Sequence, residues 1–454
     1  MKIIIVGAGE VGFHIANRLA HENKDVVVVD INQTAIRRVS DHMDVQTIIG
    51  SGSSPVVLEE AGIKNAEILL AVTDSDEINL VACLAAKILA PATKKLARLR
   101  NSDYDKYHDI FRENSPNIDT IINPEIEVVK TIDRLMKVPG AVDIGEFSEG
   151  RVKFVGILLE KDAMLAGTCL SELKEKIRGQ IPLIAAIIRN EKLIIPGGND
   201  RLLSGDYVYF ISEESRLLDT LAVFDKHVEP LNRVLIIGGG SIGFRLAKLL
   251  EEQNLNTKII EKREKQCMYL AEKLNKCVVL HGDGSDQTLL SEENLQDMDI
   301  VVSLTNDEET NILSSLLAKR MGARKTITKI NKFSYLPLMS AIGIEQVVST
   351  RLSAINSIQQ HIRRGKVLSA ISLKGEQAEV IEAVALESSE IVGKPLKAIS
   401  FPNGALVAGI IRKEQVVIPS GNSMIEPGDR IIIVAKRKAL QKIESMLTVK
   451  LEFF

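Results

Sequence analysis

Short β-branched runs alternate with segments of helical hydrophobic spacing through the first hundred residues. Strands that are apolar on both sides, each followed by a helix, are typical of a parallel sheet covered on both faces. The pattern therefore predicts a Rossmann-type α/β unit. The predicted strands are Ile3–Val6, Val26–Asp30, Gln46–Ile49, Ile68–Thr73 and Lys95–Arg100, and the predicted helices are Val11–His21, Thr34–Ser40, Pro55–Ala61 and Ile78–Leu89.

The same pattern returns in the second half of the chain. Three pairs of segments match in the same order: 3–12 (IIIVGAGEVG) with 234–243 (VLIIGGGSIG), 73–79 with 305–311, and 187–206 with 410–429. The chain thus reads A-B-A′-B′. An internal duplication of this kind decides the whole fold prediction, because each copy is expected to fold in the same way.

The B units are predicted to be small α+β modules. Their strands are separated by turn signals such as Pro-Gly-Gly-Asn at 196–199 and Pro-Ser-Gly-Asn at 419–422. We therefore predict an α/β fold with two Rossmann-like parallel-sheet domains that alternate with two small α+β domains. The predicted domains are 1–124, 141–225, 232–350 and 369–451, and the predicted linkers are Lys137–Ala141, Lys226–Asn232 and Arg351–Val367. The last linker has helical spacing, since Ile355, Ile358 and Ile362 recur along it.

Composition excludes several classes of protein. The 454 residues carry 57 Lys and Arg against 60 Asp and Glu, a net charge of −3, which argues against a nucleic-acid protein held by a basic field. No apolar run approaches the ~18 residues that a membrane-spanning helix needs, so direct membrane insertion is not expected. The four cysteines lack metal-ligand spacing and are expected to be reduced thiols in a cytoplasmic protein.

A glycine motif follows the first strand of each A unit. Gly7-Ala8-Gly9-Glu10-Val11-Gly12 fits G-x-G-x-x-G between a predicted strand and a predicted helix, and Gly238-Gly239-Gly240-Ser241-Ile242-Gly243 repeats it. The first glycine permits the tight turn, the second lets the backbone approach a pyrophosphate, and the third lets helix and strand pack closely. The helix N-terminus then presents free N–H groups to the phosphates.

An acidic residue ends the next strand in both copies. Asp30 and Glu261 each follow the last glycine by close to the ~20 residues expected for a carboxylate that accepts from a ribose hydroxyl. A carboxylate there repels a 2′-phosphate, so NAD(H) or an adenine nucleotide is favoured over NADP. The alternative is a Rossmann unit kept only for its shape.

Two further pairs of positions lie near the predicted ligand edge. Thr73 and Asp74, matched by Thr305 and Asn306, end the fourth strand, although Thr73-x-x-Asp76 and Thr305-x-x-Glu308 also fit a helix capping box. Arg98 and its counterpart Lys329 end the fifth strand. A cation there is expected to meet a phosphate or a neighbouring subunit, or else to be a solvated strand end.

Signals for catalysis are weak. The B units show no His, Cys or Lys constellation with a catalytic spacing, and the seven histidines form no metal pattern. The first copy has no histidine at the position equivalent to His281, so a catalytic role for His281 is not expected. We therefore predict no catalytic residues, no metal site and no enzymatic activity.

One helix in each A unit is more apolar than a single buried face requires. Ile78–Leu89 and its counterpart Thr310–Met321 are expected to be buried on most sides, whereas a lone Rossmann unit covers only one. The extra surface should pack on another such domain, within the chain or between chains. A homo-oligomer is the symmetric solution, and we expect a tetramer.

The paired glycine motifs with Asp30 and Glu261, the A-B-A′-B′ order and the Ile-Pro-x-Gly-Asn…Gly-Asp segments resemble the TrkA family of Trk potassium-uptake regulatory subunits, over essentially the whole chain. The A and B units resemble the N- and C-terminal halves of RCK (regulator of potassium conductance) domains. The resemblance implies a cytoplasmic ring at the inner face of the membrane. It further implies NAD(H), ATP or ADP as ligands and a potassium-translocating partner of the TrkH or TrkG type.

The resemblance also implies a set of nucleotide-binding residues in each half. In the first half these are Gly7, Ala8, Gly9, Glu10, Val11, Gly12, Asp30, Thr73, Asp74 and Arg98, and in the second half Gly238, Gly239, Gly240, Ser241, Ile242, Gly243, Glu261, Thr305, Asn306 and Lys329. Two alternatives stay open at this point: an NAD-dependent oxidoreductase, and an RCK regulator of a different ion transport system.

Overall fold

The computed structural model describes residues 1–177, 181–227, 230–362, 367–373 and 377–447. The chain forms two compact units, one of residues 1–127 with 350–363 and the other of residues 128–349 with 364–454. The predicted end of the fourth domain at residue 451 lies outside the described residues. So do residues 228–229 and 363–366 of two predicted linkers.

The first unit contains a six-stranded parallel sheet in the order β3-β2-β1-β4-β5-β6. Its central strands are buried, and Ile3, Ile4 and Ile5 have no exposed surface. The strand order reverses between β1 and β4, and open α/β sheets bind ligands at the carboxyl ends of strands beside such a reversal. The strands are β1 (Lys2–Val6), β2 (Asp25–Asp30), β3 (Gln46–Ile49), β4 (Ile68–Ala71), β5 (Lys94–Arg98) and β6 (Thr120–Ile122). The helices are α1 (Glu10–His21), α2 (Gln33–His42), α3 (Pro55–Glu60), α4 (Asp76–Leu89) and α5 (His108–Glu113).

Two strands end earlier than predicted. β4 ends at Ala71, not Thr73, and β5 ends at Arg98, not Arg100, because the chain leaves the sheet where the loops of the candidate site begin. β6 was not predicted, since three residues carry no periodic signal.

A helix from the second half of the sequence completes the first unit. The predicted helical linker forms α14 (Thr350–Ile362), which contacts α1 and β6. Its apolar side is buried, with Ala354, Ile355 and Ile358 at most 1% exposed. A segment that follows the second Rossmann sheet along the chain is therefore part of the first compact unit.

The second unit repeats the parallel sheet in the equivalent order β14-β13-β12-β15-β16-β17. The strands are β12 (Arg233–Ile237), β13 (Asn256–Glu261), β14 (Val278–His281), β15 (Ile300–Ser303), β16 (Lys325–Lys329) and β17 (Gln346–Val348). The helices are α9 (Ser241–Glu252), α10 (Glu264–Lys273), α11 (Gln287–Glu292), α12 (Glu308–Arg320) and α13 (Leu336–Ala341). Residues 128–137 of α6 (Pro124–Lys137) pack on this domain, where Val128, Ile132 and Leu135 share a core with Val234 and Leu246.

Two five-stranded antiparallel sheets complete the second unit, in the equivalent orders β10-β9-β11-β8-β7 and β18-β19-β22-β20-β21. Side chains from both, among them Phe154, Tyr209, Val380 and Ile432, form one hydrophobic cluster. The strands are β7 (Ala141–Phe147), β8 (Val152–Leu158), β9 (Leu183–Arg189), β10 (Lys192–Ile194), β11 (Tyr207–Glu213), β18 (Val367–Leu373), β19 (Ala378–Val384), β20 (Ala405–Arg412), β21 (Gln415–Val417) and β22 (Arg430–Lys436), and the helices are α7 (Leu173–Lys176), α8 (Leu217–Ala222) and α15 (Arg437–Leu447). The predicted fold class is confirmed.

The apolar helix α4 is not covered on most sides by its own chain, which leaves packing between chains as the predicted alternative. Val81, Leu84 and Ile88 recur along one side of the helix and are 45%, 39% and 72% exposed. In the second copy, α12 exposes Leu313 to 50%, while its Ile312 packs against the cluster around Ile330, Met339 and Ile344. The single chain therefore leaves an apolar stripe on α4 available to another molecule.

Candidate functional site

The loop between β1 and α1 lies at the carboxyl edge of the first sheet. Gly9 is the N-cap residue of α1, with extended φ and ψ of −64° and −174°, and it supplies no side-chain cap. Gly240 caps α9 in the same way, at −66° and −170°. The first-turn N–H groups of both helices therefore receive no side chain from the N-cap position, and such groups are the usual partners of a bound anion.

The first and third glycines of the loop are required by the fold. Gly7 has a φ of +111°, and a Cβ there would lie 2.9 Å from the backbone nitrogen of Thr73. A Cβ on Gly12 would lie 1.8 Å from the carbonyl oxygen of Gly7. Gly238 and Gly243 repeat both constraints. These four glycines are thus explained by the tight turn and by close packing of helix on strand.

The middle glycine is different, because the chain itself does not require it. A Cβ on Gly9 meets nothing within 4 Å, and neither does one on Gly240. The φ values are negative, so any residue could adopt this backbone. Both loops therefore keep open space directly in front of a helix N-terminus, as a site for a closely approaching phosphate requires.

The predicted acidic residues hold the glycine loops. Asp30 accepts hydrogen bonds from the backbone nitrogens of Ala8 at 2.6 Å and Asn32 at 2.8 Å. Glu261 accepts from Gly239 at 2.8 Å and from Arg263 at 2.9 Å. Each carboxylate thus lies beside its glycine loop, where the sequence pattern places the ribose contact.

The loop after β4 is held by a residue that the sequence analysis did not single out. Asn79 is fully buried on α4, and its Oδ1 accepts from the nitrogen of Thr73 at 2.9 Å and from its Oγ1 at 2.8 Å. Its Nδ2 donates to the carbonyls of Thr73 at 3.1 Å and Arg98 at 2.8 Å. Asn311 makes the equivalent four hydrogen bonds in the second copy. The sequence signal was present, since both asparagines end the repeated segment.

The capping-box alternative for this loop is wrong. Ser75, not Thr73, is the N-cap residue of α4, and its Oγ accepts from the nitrogen of Ile78. Asp76 instead accepts from the nitrogens of Arg100 and Asn101, both at 2.8 Å. In the second copy Asp307 caps α12, and Glu308 accepts from Asn331 and Lys332. These acids tie the loop after the fifth strand to the helix, because their carboxylates reach exposed backbone donors there.

The predicted cations lie against the same loop. Arg98 is 8% exposed, and its Nη2 donates at 2.8 Å both to the carbonyl oxygen of Thr73 and to Oδ1 of Asp74. Burial lowers the pKa of Arg98 from its ordinary value. In the second copy Nζ of Lys329 lies 3.4 Å from Oδ1 of Asn306. This hydrogen bond is longer than that of Arg98, and its acceptor is uncharged. The structure therefore brings Thr73, Asp74 and Arg98 together.

The sequence analysis also did not predict a cluster of charged side chains at the start of α1. Glu10 accepts from Nη1 of Arg38 at 2.5 Å, and Nη1 of Arg351 on α14 lies 3.6 Å from its other oxygen. The Arg38 guanidinium lies 4.0 Å from the centre of the Phe13 ring, a cation–π distance. The hydrogen bond from Arg38 lowers the pKa of Glu10. Two guanidinium groups thus offset the single carboxylate beside the first turn of α1.

The described residues offer neither a metal centre nor a membrane-spanning helix. No group of three or more His, Cys, Asp or Glu residues in that part of the chain could hold a metal ion. No helix in the same ranges is long and apolar enough to cross a membrane. The four cysteines are free thiols, and burial raises the pKa of Cys83 to about 12, so this thiol is not nucleophilic at neutral pH.

Family comparisons match the duplication. The TrkA-N domain matches residues 3–124 and 234–350, and the TrkA-C domain matches residues 154–225 and 380–448. The chain is also similar in fold to a GsuK channel bound to NAD (TM-score 0.61, 17% identity, 98% of this chain and 78% of that one) and to the GsuK RCK domain (TM-score 0.60, 17% identity, 98% and 94%). At such identities the likeness shows the fold alone.

Curated relatives match over their full length. The Trk system potassium uptake protein TrkA of Azorhizobium caulinodans is 36% identical, with 100% of both chains covered, and that of Halomonas elongata is 37% identical with the same coverage. TrkA homolog 1 of Methanosarcina mazei is 36% identical over 98% of this chain and 99% of its own length. The chain therefore belongs to the TrkA family of Trk potassium-uptake proteins, which is a regulatory family and not a family of enzymes.

Proposed function

We propose that the chain is a nucleotide-sensing regulatory subunit that controls a membrane-embedded potassium-translocating partner of the TrkH or TrkG type. The observation that carries the proposal is the open space at Gly9 and Gly240, in front of two helix N-termini without side-chain caps. A protein that used its Rossmann units for shape alone would have no need of glycine at these two positions.

The proposed ligand is NAD(H), with ATP or ADP as further candidates. A pyrophosphate would lie on the first-turn N–H groups of α1, beside Gly9 and Glu10. A ribose hydroxyl would donate to Asp30, whose carboxylate would repel the 2′-phosphate of NADP. Thr73, Asp74 and Arg98 would border the same edge of the sheet, since hydrogen bonds already join them to each other.

The proposed mechanism requires no chemistry on the nucleotide. A ligand that binds one conformation of an oligomeric ring more tightly shifts the ring toward that conformation, by no more than its difference in affinity allows. The movement would be transmitted to the potassium-conducting partner at the inner face of the cell membrane. The NAD-bound GsuK channel, which shares this fold, supports the pairing of such domains with a channel.

The Asp30→Ala variant tests the proposal. Loss of a charge-assisted hydrogen bond costs about 1.5–3 kcal/mol, so the affinity for NADH in the first half should fall at least roughly tenfold. Calorimetric titration measures this directly, and potassium flux through the reconstituted partner should require correspondingly more nucleotide. Asp25→Ala, at the exposed opposite end of the same strand, is the matched control and should change neither value. Unchanged affinity in Asp30→Ala would mean that the carboxylate only holds the loop.

The proposed assembly is a homo-oligomer, expected to be a tetramer, in which the apolar stripe on α4 contacts a second chain. Light scattering should therefore give a mass several times that of one 49.9 kDa chain. Ile88→Glu would place a charge in this contact and should lower the mass. Val56→Glu is the control, because Val56 is equally exposed at 72% but lies on α3. A monomeric mass at micromolar concentration would contradict the ring.

A further inference from the structure

The duplication allows the two candidate nucleotide sites to be compared residue by residue. In the first sheet Asp30 of β2 is paired with Ile49 of β3, and in the second Glu261 of β13 is paired with His281 of β14. The residues that follow the two acids are Ile31 and Lys262. These positions border the place where the ribose and base of a bound nucleotide would lie. They are apolar in the first half and polar or charged in the second.

The first half presents apolar side chains at this edge. Ile31, the residue after β2, is 69% exposed, and Ile49 at the end of β3 is 55% exposed. The ends of these two strands are in register, since Asp30 pairs with Ile49. Two exposed isoleucines beside a carboxylate are costly for a free surface, and a flat aromatic base would remove both from water. A ribose on Asp30 would carry its base to this apolar edge.

The second half has an ion pair at the same edge. Nζ of Lys262 lies 2.8 Å from Oδ2 of Asp283, and Nε2 of His281 lies 3.1 Å from the carbonyl oxygen of Lys262. The hydrogen bond from Lys262 lowers the pKa of Asp283 to about 2, so the pair is charged throughout the neutral range. A base placed here would have to desolvate charged groups without giving them new partners.

The two carboxylates also differ in the number of hydrogen bonds that they accept from the protein. Asp30 accepts from two backbone nitrogens. Glu261 accepts from two backbone nitrogens and also from Nε of Arg263 at 3.0 Å, and it is only 7% exposed. A ribose hydroxyl could approach Asp30 directly, whereas at Glu261 it would have to displace the guanidinium.

Position 239 in the second glycine loop has no room for a side chain. A Cβ on Gly239 would lie 2.4 Å from Cδ1 of Leu270 and 3.1 Å from Cβ of Glu261. In the first half the corresponding residue is Ala8. A side chain at position 239 would therefore collide with Leu270 and crowd Glu261.

We propose that the two halves are functionally unequal, so that adenine nucleotides bind in the first half with Ile31 and Ile49 under the base, while the second half binds them at least tenfold more weakly. This inference rests on the proposed function. It assigns the main sensing role to the first Rossmann domain and leaves the second with a weaker site, whose carboxylate already accepts a hydrogen bond from Arg263.

The test exchanges the distinguishing residues in the full-length chain and uses NADH as the probe. Wild-type protein should bind one NADH per chain in calorimetric titration. The variant Lys262→Ile, Arg263→Asn, His281→Ile, Asp283→Ser, which carries the first-half residues at four positions, should bind two. Ser51 of the first half already makes the turn contact with Ser53 that Asp283 makes with Ser285, so the loop should be retained.

The reciprocal variant keeps the inference testable if the fourfold variant fails to fold. Ile31→Lys with Ile49→His changes only exposed side chains and should weaken the first site at least tenfold. Two equal sites per wild-type chain, or unchanged affinity in the reciprocal variant, would overturn the inference and leave the proposed function standing. Absence of NADH binding in the wild-type chain would overturn both.

Discussion

Replacement of Gly9 by valine is expected to abolish nucleotide binding in the first half without unfolding it. The backbone of Gly9 has a negative φ, so valine adds no strain of the left-handed kind, and its Cβ meets no protein atom within 4 Å. The γ-methyl groups would instead occupy the space in front of the α1 N-terminus that a pyrophosphate needs. We expect a loss of roughly a hundredfold or more in affinity, equivalent to about 2.7 kcal/mol.

Two measurements separate this effect from misfolding. Titration with NADH reports the lost site, and thermal unfolding should give a melting temperature close to that of the wild type. Gly12→Val is the contrasting variant, because its Cβ would collide with the carbonyl oxygen of Gly7 at 1.8 Å and should destabilise the domain. Wild-type affinity in Gly9→Val would show that the glycine loop does not bind phosphate.

Replacement of Asn79 by alanine is expected to have the largest effect on stability. The side chain has no exposed surface and makes four hydrogen bonds that join the loop after β4 to the end of β5. Alanine would leave the backbone nitrogen of Thr73 and the carbonyl of Arg98 without this partner, at about 1–3 kcal/mol for each buried group. We expect a destabilisation of about 3 kcal/mol or more.

Calorimetry of the full chain measures this destabilisation, which should lower the melting temperature of the first unit by roughly 10 °C. Asn311→Ala should have a comparable effect in the second unit, since the same four hydrogen bonds recur there. Asn114→Ala, at an exposed helix end, is the control and should change little. A loss below about 1 kcal/mol in Asn79→Ala would mean that the loop finds other partners.

Much of the fold followed from local patterns in the sequence. Apolar runs such as Ile3–Val6 can only be central strands of a covered sheet, and the repeat then fixed the same architecture twice. The glycine spacing placed Gly7 and Gly12 correctly, because a tight turn and close helix packing leave no choice of side chain there. Signals of this kind lie within a few residues, or within one strand–helix–strand unit, and sequence reasoning can use them directly.

Other features were decided only by tertiary structure. The hydrophobic spacing of Ile355, Ile358 and Ile362 predicted a helix, but only packing on α1 and β6 assigned that helix to the first unit. The contact of Arg351 with Glu10 depends on that packing and leaves no local sequence signal. The capping box failed for a similar reason, since distant backbone donors at Arg100 and Asn101 competed successfully for the Asp76 carboxylate.

The difference between the two candidate nucleotide sites shows which features the sequence determines and which depend on tertiary structure. The sequence by itself determined that both Rossmann domains carry a glycine loop and a carboxylate at the expected distance. Whether the edge beside that carboxylate is apolar or charged depends on side chains that meet across neighbouring strands and loops, such as Lys262 with Asp283. Those contacts follow from strand register and packing, because residues about twenty positions apart become neighbours only when the sheet has formed.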